Sequence, residues 1–336
     1  SMHNPLEWFP LGVLMAAGMV LGSGESGVRA KEAAASPELL RFAAAAAAAA
    51  FLAVCVYVYA PQVISEVYFL DSMEAGAAGR GLEAEAFAMK AHRVNPHDEE
   101  LMSALAFRKY LNKKYDESLA LYSKAQALQP DYPVQYSHIG DVYFSMRRYR
   151  EAAENYDKSL HYVPNERHAL SQSALSLLKS GDYPAALRRF KKLVEWYPDD
   201  YGYLFYSGVC MLKTGRIQGA ARMFEASLRL KNDFADAHYN YALALLRLGS
   251  NGEAEKHLLQ TIKLDSGYSQ AYPALSMISY LEGNMDKAKI FLDTYIRKRG
   301  GEGIDVFLKK EGFAELTKEN YEKVYGLAVV GNSGAK

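Results

Sequence analysis

The sequence predicts an all-α protein, a solenoid of antiparallel helix pairs preceded by one or two transmembrane helices. Four prolines recur at intervals of 34 residues, at Pro96, Pro130, Pro164 and Pro198, and small and large side chains recur in step with them. Near the N-terminus, residues 42–60 form an uncharged apolar stretch. At 336 residues the chain exceeds the usual size of one compact core, so a repeat array is expected.

Composition excludes several classes of protein. A hydrophobic fraction of 50% and a charged fraction of 23% are typical of an ordered chain. The charges of the 39 basic and 39 acidic residues cancel, so the formal net charge is zero. Because no overall positive field attracts nucleic acid, we expect no nucleic-acid partner. Cys55 and Cys210 are the only cysteines, and two such distant residues do not form a disulfide framework. We expect both to be free, buried thiols.

The N-terminal sixty residues contain two hydrophobic segments. Residues 42–60 would reach ~28 Å as a helix, enough to cross a hydrocarbon core. Tyr57 and Tyr59 lie at one end, where an interfacial aromatic belt would place them. This segment is predicted to be a transmembrane helix, with a buried helix of a soluble domain as the alternative. Residues 1–22 include a shorter apolar run at 8–21, which either spans the membrane or lies in its interface.

The distribution of basic residues predicts the orientation in the membrane. Arg29, Lys31 and Arg41 precede the long span in or at the end of the connector at 23–41, whereas residues 61–79 contain no Lys or Arg. Because cytoplasmic loops carry an excess of these residues, the connector is predicted to be cytoplasmic. The solenoid is then predicted to lie on the non-cytoplasmic, periplasmic side of an inner or plasma membrane.

The repeat register places small, large and turn-forming residues at fixed positions of units that begin at residues 99, 133, 167, 201, 235 and 269. The eighth residues are small, at Ala106, Gly140, Ala174, Gly208, Ala242 and Ser276. The twentieth are also small, at Ser118, Ala152, Ala186, Ala220, Ala254 and Ala288. Small residues are expected where two helices cross closely. The twenty-fourth are large, at Tyr122, Tyr156, Phe190, Phe224, Leu258 and Leu292, and are expected to fill the space between neighbouring units.

Two further positions mark the ends of helices. The fifteenth residues are Lys113, Arg147, Gly181, Gly215, Gly249 and Gly283. Glycine supplies the left-handed conformation that ends a helix, so this position is predicted to be the turn within each pair. The prolines are predicted to close the second helix of a pair, with Asn232, Ser266 and Gly300 at the same position in later units.

This pattern resembles the tetratricopeptide repeat family over residues 99–302, which would hold six full repeats. The resemblance implies a right-handed superhelix of helix pairs whose first helices line a concave face. A degenerate first repeat is predicted at 65–98, which keeps Ala84 and Ala91 but lacks the large twenty-fourth residue. Residues 303–328 are predicted to form capping helices, because a terminal repeat exposes a face that is otherwise stacked. Residues 329–336 are predicted to form a flexible tail.

In this family the second, fifth, sixth and ninth residues of the first helix often point into the groove. Some members hold a C-terminal carboxylate there with Lys, Asn and Arg, and this set is missing from the matching positions. The candidate lining is neutral and partly aromatic, at Ser137, His138, Asp141, His168, Phe205, Tyr206, Tyr239 and Asn240. Such a surface suits an amphipathic helix, an extended peptide or a glycan. Lys179, Lys213 and Arg247 at the thirteenth position are either a solvated face or a strip for an anionic ligand.

The sequence predicts no catalytic, metal or cofactor site. The eight histidines include no H-E-x-x-H pair, and no cysteine cluster accompanies them. The sequence also lacks a G-x-S-x-G elbow and a P-loop. We therefore expect no catalytic centre, metal or cofactor in these residues, and we expect a scaffold that binds a partner in an envelope assembly.

An alternative comes from the first twenty residues. HNPLEWFPLGVLMAAGMVLG resembles the end of the membrane portion of O-antigen ligases and related oligosaccharyltransferases, in which a His and a Glu precede a late transmembrane helix. His3 and Glu7 are the matching residues. The resemblance implies that the chain is the C-terminal, non-catalytic piece of a glycan-transferring membrane enzyme. Sequence upstream of Ser1 would separate the two hypotheses.

Overall fold

A computed structural model describes residues 37–299, and these fall into two units that divide between Gln62 and Val63. The described part contains 14 α-helices and no strand. The helices are α1 (Pro37–Ala77), α2 (Gly81–Val94), α3 (Glu99–Leu111), α4 (Tyr115–Leu128), α5 (Pro133–Ser145), α6 (Tyr149–Tyr162), α7 (Arg167–Ser180), α8 (Tyr183–Trp196), α9 (Tyr201–Lys213), α10 (Ile217–Leu230), α11 (Ala235–Arg247), α12 (Asn251–Leu264), α13 (Ala271–Leu281) and α14 (Met285–Arg299).

Helix α1 contains the predicted membrane segment and is longer than predicted. Among the described residues, Arg41–Ala77 is the one helix long and apolar enough to cross a membrane. No residue from 41 to 60 is buried. Among the described residues the helix extends from Pro37, inside the predicted connector, to Ala77. It continues through Pro61 into the first helix of the degenerate repeat.

The remaining helices alternate with the predicted period. The first helices α3, α5, α7, α9 and α11 begin at the first residue of their units, and each second helix begins sixteen residues later. Helices α2, α4, α6 and α8 each end two residues before a proline, which confirms that the prolines follow the second helices. Helix α13 begins two residues late and holds Pro273 in its first turn, where no N–H is needed.

The turn within each pair is confirmed at all six predicted positions. The glycines at 181, 215, 249 and 283 have φ between 75° and 88°. Lys113 and Arg147 adopt the same left-handed conformation at φ 62° and 60°, although their Cβ atoms make it less favourable. Gly79 repeats the turn in the degenerate unit at φ 73°.

The three repeating packing positions lie in the core. Every twentieth and twenty-fourth residue in the register is buried. A Cβ atom on Gly140 would lie 2.7 Å from the Tyr156 ring, so the eighth residue must be small because the twenty-fourth residue of the same unit packs on it. The large residue also reaches the next unit, since the Phe190 and Tyr206 rings stack at 5.4 Å. Both findings confirm the predicted roles of these positions.

Candidate functional site

A groove of about 710 Å³ lies between the first helices of three successive units, formed by the C-terminal part of α1, α3 and α5. Its lining residues are Phe69, Ser72, Met73, Ala77, Glu99, Glu100, Ser103, Ala104, Phe107, Arg108, Gln129, Tyr132, Val134, Gln135 and His138. Most of them occupy the second, fifth, sixth and ninth positions of their units. The family expectation for the groove-facing positions therefore holds in this part of the chain.

Apolar side chains from three elements line part of this groove. Phe69 and Met73 come from α1, Phe107 from α3, and Tyr132 and Val134 from the start of α5. Phe107 leaves 38% of its surface exposed and Val134 leaves 43%. Apolar surface that converges on one cleft is what a peptide side chain requires for burial.

One side of the groove is polar and fixed by hydrogen bonds. The Glu99 carboxylate accepts bonds from Ser103 Oγ at 3.2 Å and from Gln135 Nε2. Gln135 Oε1 is buried and has no hydrogen-bond partner within the described part of the chain. A buried amide oxygen without a partner is costly, so the Gln135 side chain makes a local destabilising contribution beside the groove.

The opposite side carries a fixed cation. Arg108 Nε donates to Ser72 Oγ at 3.2 Å, and Arg108 Nη2 lies 3.3 Å from Met73 Sδ. The guanidinium lies directly over Gly76, where a Cβ atom would be 2.3 Å from Arg108 Nη1. Glycine at this position therefore allows the Arg108 side chain to lie flat against α1.

His138 is the one member of the predicted lining that contributes to the groove. It is half-buried, and its ring lies 6.0 Å from Phe107 and 5.5 Å from Tyr122. Burial lowers the pKa of His138, although the nearby Asp141 opposes this and His168 adds to it. The neutral imidazole is therefore favoured near pH 7, and it presents one donor and one acceptor.

Asp141 and His168 form a separate contact between two units. Asp141 Oδ1 lies 2.9 Å from His168 Nε2 and accepts a hydrogen bond from the Tyr156 hydroxyl at 2.6 Å. The bond to Asp141 raises the pKa of His168, against the effect of burial. Burial and the Asp141 carboxylate raise the pKa of Tyr156. The Asp141 carboxylate on α5 thus links this helix to Tyr156 on α6 and to His168 on α7.

Three other predicted lining residues are packed against helices instead of facing an open groove. Ser137, Phe205 and Tyr239 each leave less than a tenth of their surface exposed. Ser137 Oγ bonds Ser159 Oγ at 2.9 Å, and the Phe205 ring lies 4.8 Å from Phe234. In these three units the fifth position borders the interface with neighbouring elements, and the Phe205 and Tyr239 rings pack into it.

Tyr206 and Asn240, both at the sixth position, keep partial exposure outside the groove of α1, α3 and α5. Tyr206 stacks on Phe190, and burial raises its pKa. Asn240 Nδ2 donates to the Asp236 carbonyl oxygen at 2.8 Å, one turn earlier in α11. Through its stacking on Phe190, the Tyr206 ring helps to join two units.

The three basic residues at the thirteenth position are all exposed. Lys179, Lys213 and Arg247 lie in the last turns of α7, α9 and α11. Arg247 Nη1 donates to the Leu212 carbonyl oxygen at 3.4 Å. This bond brings the cation of one unit beside the end of the first helix in the preceding unit.

No metal-binding cluster is found in the part of the chain that the structure describes. No three His, Cys, Asp or Glu side chains among residues 37–299 are arranged to hold a metal ion. Both cysteines are free thiols, as predicted. Cys210 is buried, as predicted, and burial raises its pKa to about 12. Cys55 is half-exposed, so the prediction that it is buried was wrong.

Several predicted features lie outside the described residues. These are His3 and Glu7 of the ligase-like motif, the apolar run at 8–21, the caps at 303–328 and the tail at 329–336. Each of them stays a prediction.

Stacked helix pairs whose first helices line a groove define an α-solenoid repeat protein, a class of scaffold that mediates protein–protein interaction. The family model described as the tetratricopeptide repeat matches residues 171–233 and 211–269. Residues 171–269 are therefore a tetratricopeptide-repeat segment. No curated protein sequence matches the chain.

Solved structures of similar fold cover more of the chain. YrrB, a tetratricopeptide-repeat protein with an unusual peptide-binding site, is 24% identical, with a TM-score of 0.51 over 56% of this chain and 96% of its own. A tetratricopeptide repeat protein from Parabacteroides merdae is 16% identical, with a TM-score of 0.55 over 73% and 96% of the two chains. The C-terminal part of a repeat protein from Cytophaga hutchinsonii is 13% identical, with a TM-score of 0.58 over 70% and 97%. At these identities the likeness shows the fold alone.

Proposed function

We propose that this chain is a membrane-anchored scaffold that binds a peptide segment of a partner protein in the groove of α1, α3 and α5. The observation that carries the proposal is the apolar cleft formed by Phe69, Met73, Phe107 and Val134, with hydrogen-bonding groups on both sides. Buried apolar anchors surrounded by polar groups are the usual arrangement of a protein–protein hot spot. YrrB, of similar fold, is a protein with a peptide-binding site.

The anchor in this proposal is the segment at residues 42–60. Its exposed side chains include Phe42, Phe51, Leu52 and Tyr57. Such a surface is unfavourable in water and suited to lipid. With the repeats on the non-cytoplasmic side, the partner would belong to a cell-envelope assembly.

Replacing Phe107 with Asp is expected to reduce the affinity for the partner about tenfold or more. Loss of a central apolar anchor typically weakens binding by at least this factor. The measurement uses the full-length chain with a photo-reactive amino acid at Val134, and it quantifies the cross-linked adduct. Leu259→Asp is the matched control, since Leu259 is a similarly exposed apolar residue in the middle of the second helix α12. Equal adduct yields from both variants would contradict the proposed groove.

The orientation is tested by reporter fusions placed after residue 98. An alkaline phosphatase fusion is expected to be active, and a green fluorescent protein exported through the general secretory route is expected to stay dark. The physical reason is the contrast between Arg29, Lys31 and Arg41 before the span and the absence of Lys and Arg at 61–79. The opposite pattern of activity would place the groove in the cytoplasm.

A further inference from the structure

We propose that the outer face of α1, in the degenerate unit, binds a helix of a partner protein that carries basic residues ahead of apolar ones. Phe69 and Met73 of α1 line the groove. The surface proposed here, called the end face, is a different side of the helix, so the inference does not depend on occupation of the groove. The end face consists of five residues: Val63, Val67, Leu70, Asp71 and Glu74.

Helix geometry places the end face opposite the buried side of α1. Successive residues are rotated by ~100° about a helix axis, so all members of the end face except Asp71 point within ~60° of one another. Ser72 points to the opposite side, where its hydroxyl donates to a backbone carbonyl oxygen of α2 at 2.8 Å. Val63, Val67 and Leu70 each leave more than half of their surface exposed. An apolar stripe thus faces away from α2.

The matching positions of later units are covered by the unit before them. Counted from residue 65, Val67 is a third residue and Glu74 is a tenth, and both are exposed. The buried third residues of later units are Leu101, Gln135, Ala169, Ala237 and Ala271. The buried tenth residues are Val142, Ser176, Cys210, Ala244 and Ile278. Tyr203 and Arg108, the remaining members of the two sets, are half-buried.

Each covering helix runs antiparallel to the helix that it covers. Tyr122, the twenty-fourth residue of its unit, packs with Ile139 and Val142, the seventh and tenth residues of the next unit. Leu160, a twenty-eighth residue, packs on the cluster that contains Ala169, a third residue. Later residues of a second helix therefore meet earlier residues of the first helix that follows.

The same register defines how a partner helix would lie on the end face. One of its residues would lie beside Asp71 and Glu74, at the seventh and tenth positions. The residue four places later would lie beside Val67, and the next turn would reach Val63. The first of these contacts is with carboxylates, and the later ones are with apolar surface.

The charge of the end face favours a basic partner. Asp71 and Glu74 lie at its C-terminal end, and residues 61–79 contain no Lys or Arg. Arg108 lies against the other side of α1, over Gly76, which is rotated by ~200° from Glu74. The partner helix that complements this pattern carries Lys or Arg at one position and apolar residues four and seven positions later.

Two other occupants fit this face less well. A helix that lies on a membrane carries Lys and Arg on its polar face, whereas this segment carries Glu66, Asp71 and Glu74. A second copy held in the same membrane by residues 42–60 would pack α1 in parallel, which sets the two Glu74 carboxylates against each other. A basic helix of another protein satisfies both halves of the face.

The test uses the full-length chain in nanodiscs of zwitterionic phosphatidylcholine and a labelled eighteen-residue peptide of Ala and Gln, which favour a helix. The peptide has lysine at positions 3 and 7 and leucine at positions 11 and 14. One comparison peptide has glutamate in place of lysine, and the other has the same residues in reverse order. We expect both to bind about tenfold more weakly. Equal binding by either one, or equal binding of the lysine peptide to empty nanodiscs, would overturn the proposal.

Exchange of the charges tests the carboxylates directly. D71K/E74K is expected to bind the lysine peptide about tenfold more weakly and the glutamate peptide about tenfold more tightly than the wild type does. E154K/E195K makes the same change of charge at exposed sites on the second helices α6 and α8 and is expected to bind like the wild type. Equal effects of the two double variants would overturn the proposal.

Val67→Asp tests the apolar half of the face and is expected to weaken binding of the lysine peptide about tenfold. Leu259→Asp, on the second helix α12, is the matched control and should bind like the wild type. An unchanged far-UV circular dichroism spectrum shows that each variant is folded. Val67→Asp should leave the cross-link at Val134 unchanged, so a failure of the end face and a failure of the groove can be distinguished.

A probe at Leu70 distinguishes the competing occupants. A photo-reactive amino acid there is expected to capture the lysine peptide. Capture of a second copy of the chain in its place would make the face a dimer interface. Quenching of a fluorophore at Leu70 by brominated lipids, with no effect of the peptide, would assign the face to the bilayer. Either result would overturn the inference and leave the proposed groove standing.

Discussion

Replacing Ala220 with Asp is expected to lower the free energy of unfolding by about 1 to 4 kcal/mol. Ala220 is fully buried at the twentieth position of its unit, in the same cluster as Phe224 and Ala242. The site has neither room for a carboxylate nor a polar partner for it in that cluster, and burial of an unpaired charge is strongly unfavourable. Ala220→Leu adds volume without charge and should be destabilising through overpacking alone.

Chemical denaturation followed by far-UV circular dichroism measures this effect. Lys191→Asp is the control, because Lys191 is exposed in the middle of the second helix α8 and accepts the same residue without burying it. Its effect should stay within about 0.5 kcal/mol, the range for ordinary surface substitutions. Equal unfolding midpoints for Ala220→Asp and the wild type would show that the register of the repeats is wrong.

The register could be predicted from the sequence because each repeating position satisfies one local structural requirement. Gly140 and Gly208 must be small, since a Cβ atom on either would lie 2.7 Å from the aromatic ring at the twenty-fourth position. Gly181 and Gly215 are in the left-handed turn. These requirements recur every 34 residues, so composition at a fixed spacing is sufficient to find the helix pairs.

The position of the groove was not predicted, because it depends on side-chain size at one unit and on contacts between units. Ala104 occupies a sixth position where the next three units carry His138, Gln172 and Tyr206. A small residue there, with Phe107 beside it, leaves the space that the groove occupies. The small residue at this position can be seen in the sequence. The contact of Arg108 with Gly76 cannot be seen there, because it joins residues 32 apart through a particular rotamer of the Arg108 side chain.

The prediction of lining residues at the fifth position shows the same limit. The family pattern places this position near the groove, and Ser103 does line it. Phe205 and Tyr239 are buried instead, because a large ring at that position gains more by packing on Phe234 or Tyr268 than by facing solvent. Burial at this position thus depends on the neighbouring unit, since the small Ser137 is buried against Ser159 whereas the large Phe69 lines the groove.

A buried ionic network, which sequence analysis did not identify, joins the degenerate unit to the first full one. Glu85 on α2 leaves only 3% of its surface exposed. Its Oε1 accepts bonds from Lys109 Nζ at 3.2 Å and Lys114 Nζ at 2.8 Å, and its Oε2 accepts one from Asn112 Nδ2 at 2.7 Å. Lys109 is buried as well. The three donors surround one carboxylate at the junction of the two units.

Replacing Glu85 with Ala is expected to lower the free energy of unfolding at pH 7 by about 2 to 4 kcal/mol. Removal of one member of a buried ion pair typically costs ~3–5 kcal/mol, and the remaining contact of Lys109 with the exposed Glu117 reduces that cost. Glu83→Ala on the same helix is the matched control, because Glu83 forms an exposed pair with Arg80 that should contribute under about 1 kcal/mol.

The effect of Glu85→Ala should depend on pH in a defined direction. Burial alone would raise the pKa of Glu85, but hydrogen bonds from Lys114, Asn112 and Lys109 outweigh it and lower the pKa below its usual value of 4.5. Because the folded-state pKa is lower than the unfolded one, the stabilisation is complete above the unfolded pKa and is lost as pH falls through the folded pKa. Denaturation at pH 7 and at about pH 3 should therefore show the difference between wild type and variant shrinking in acid. A difference that is constant over this range, or no larger than that of Glu83→Ala, would mean that the Glu85 carboxylate does not stabilise the junction.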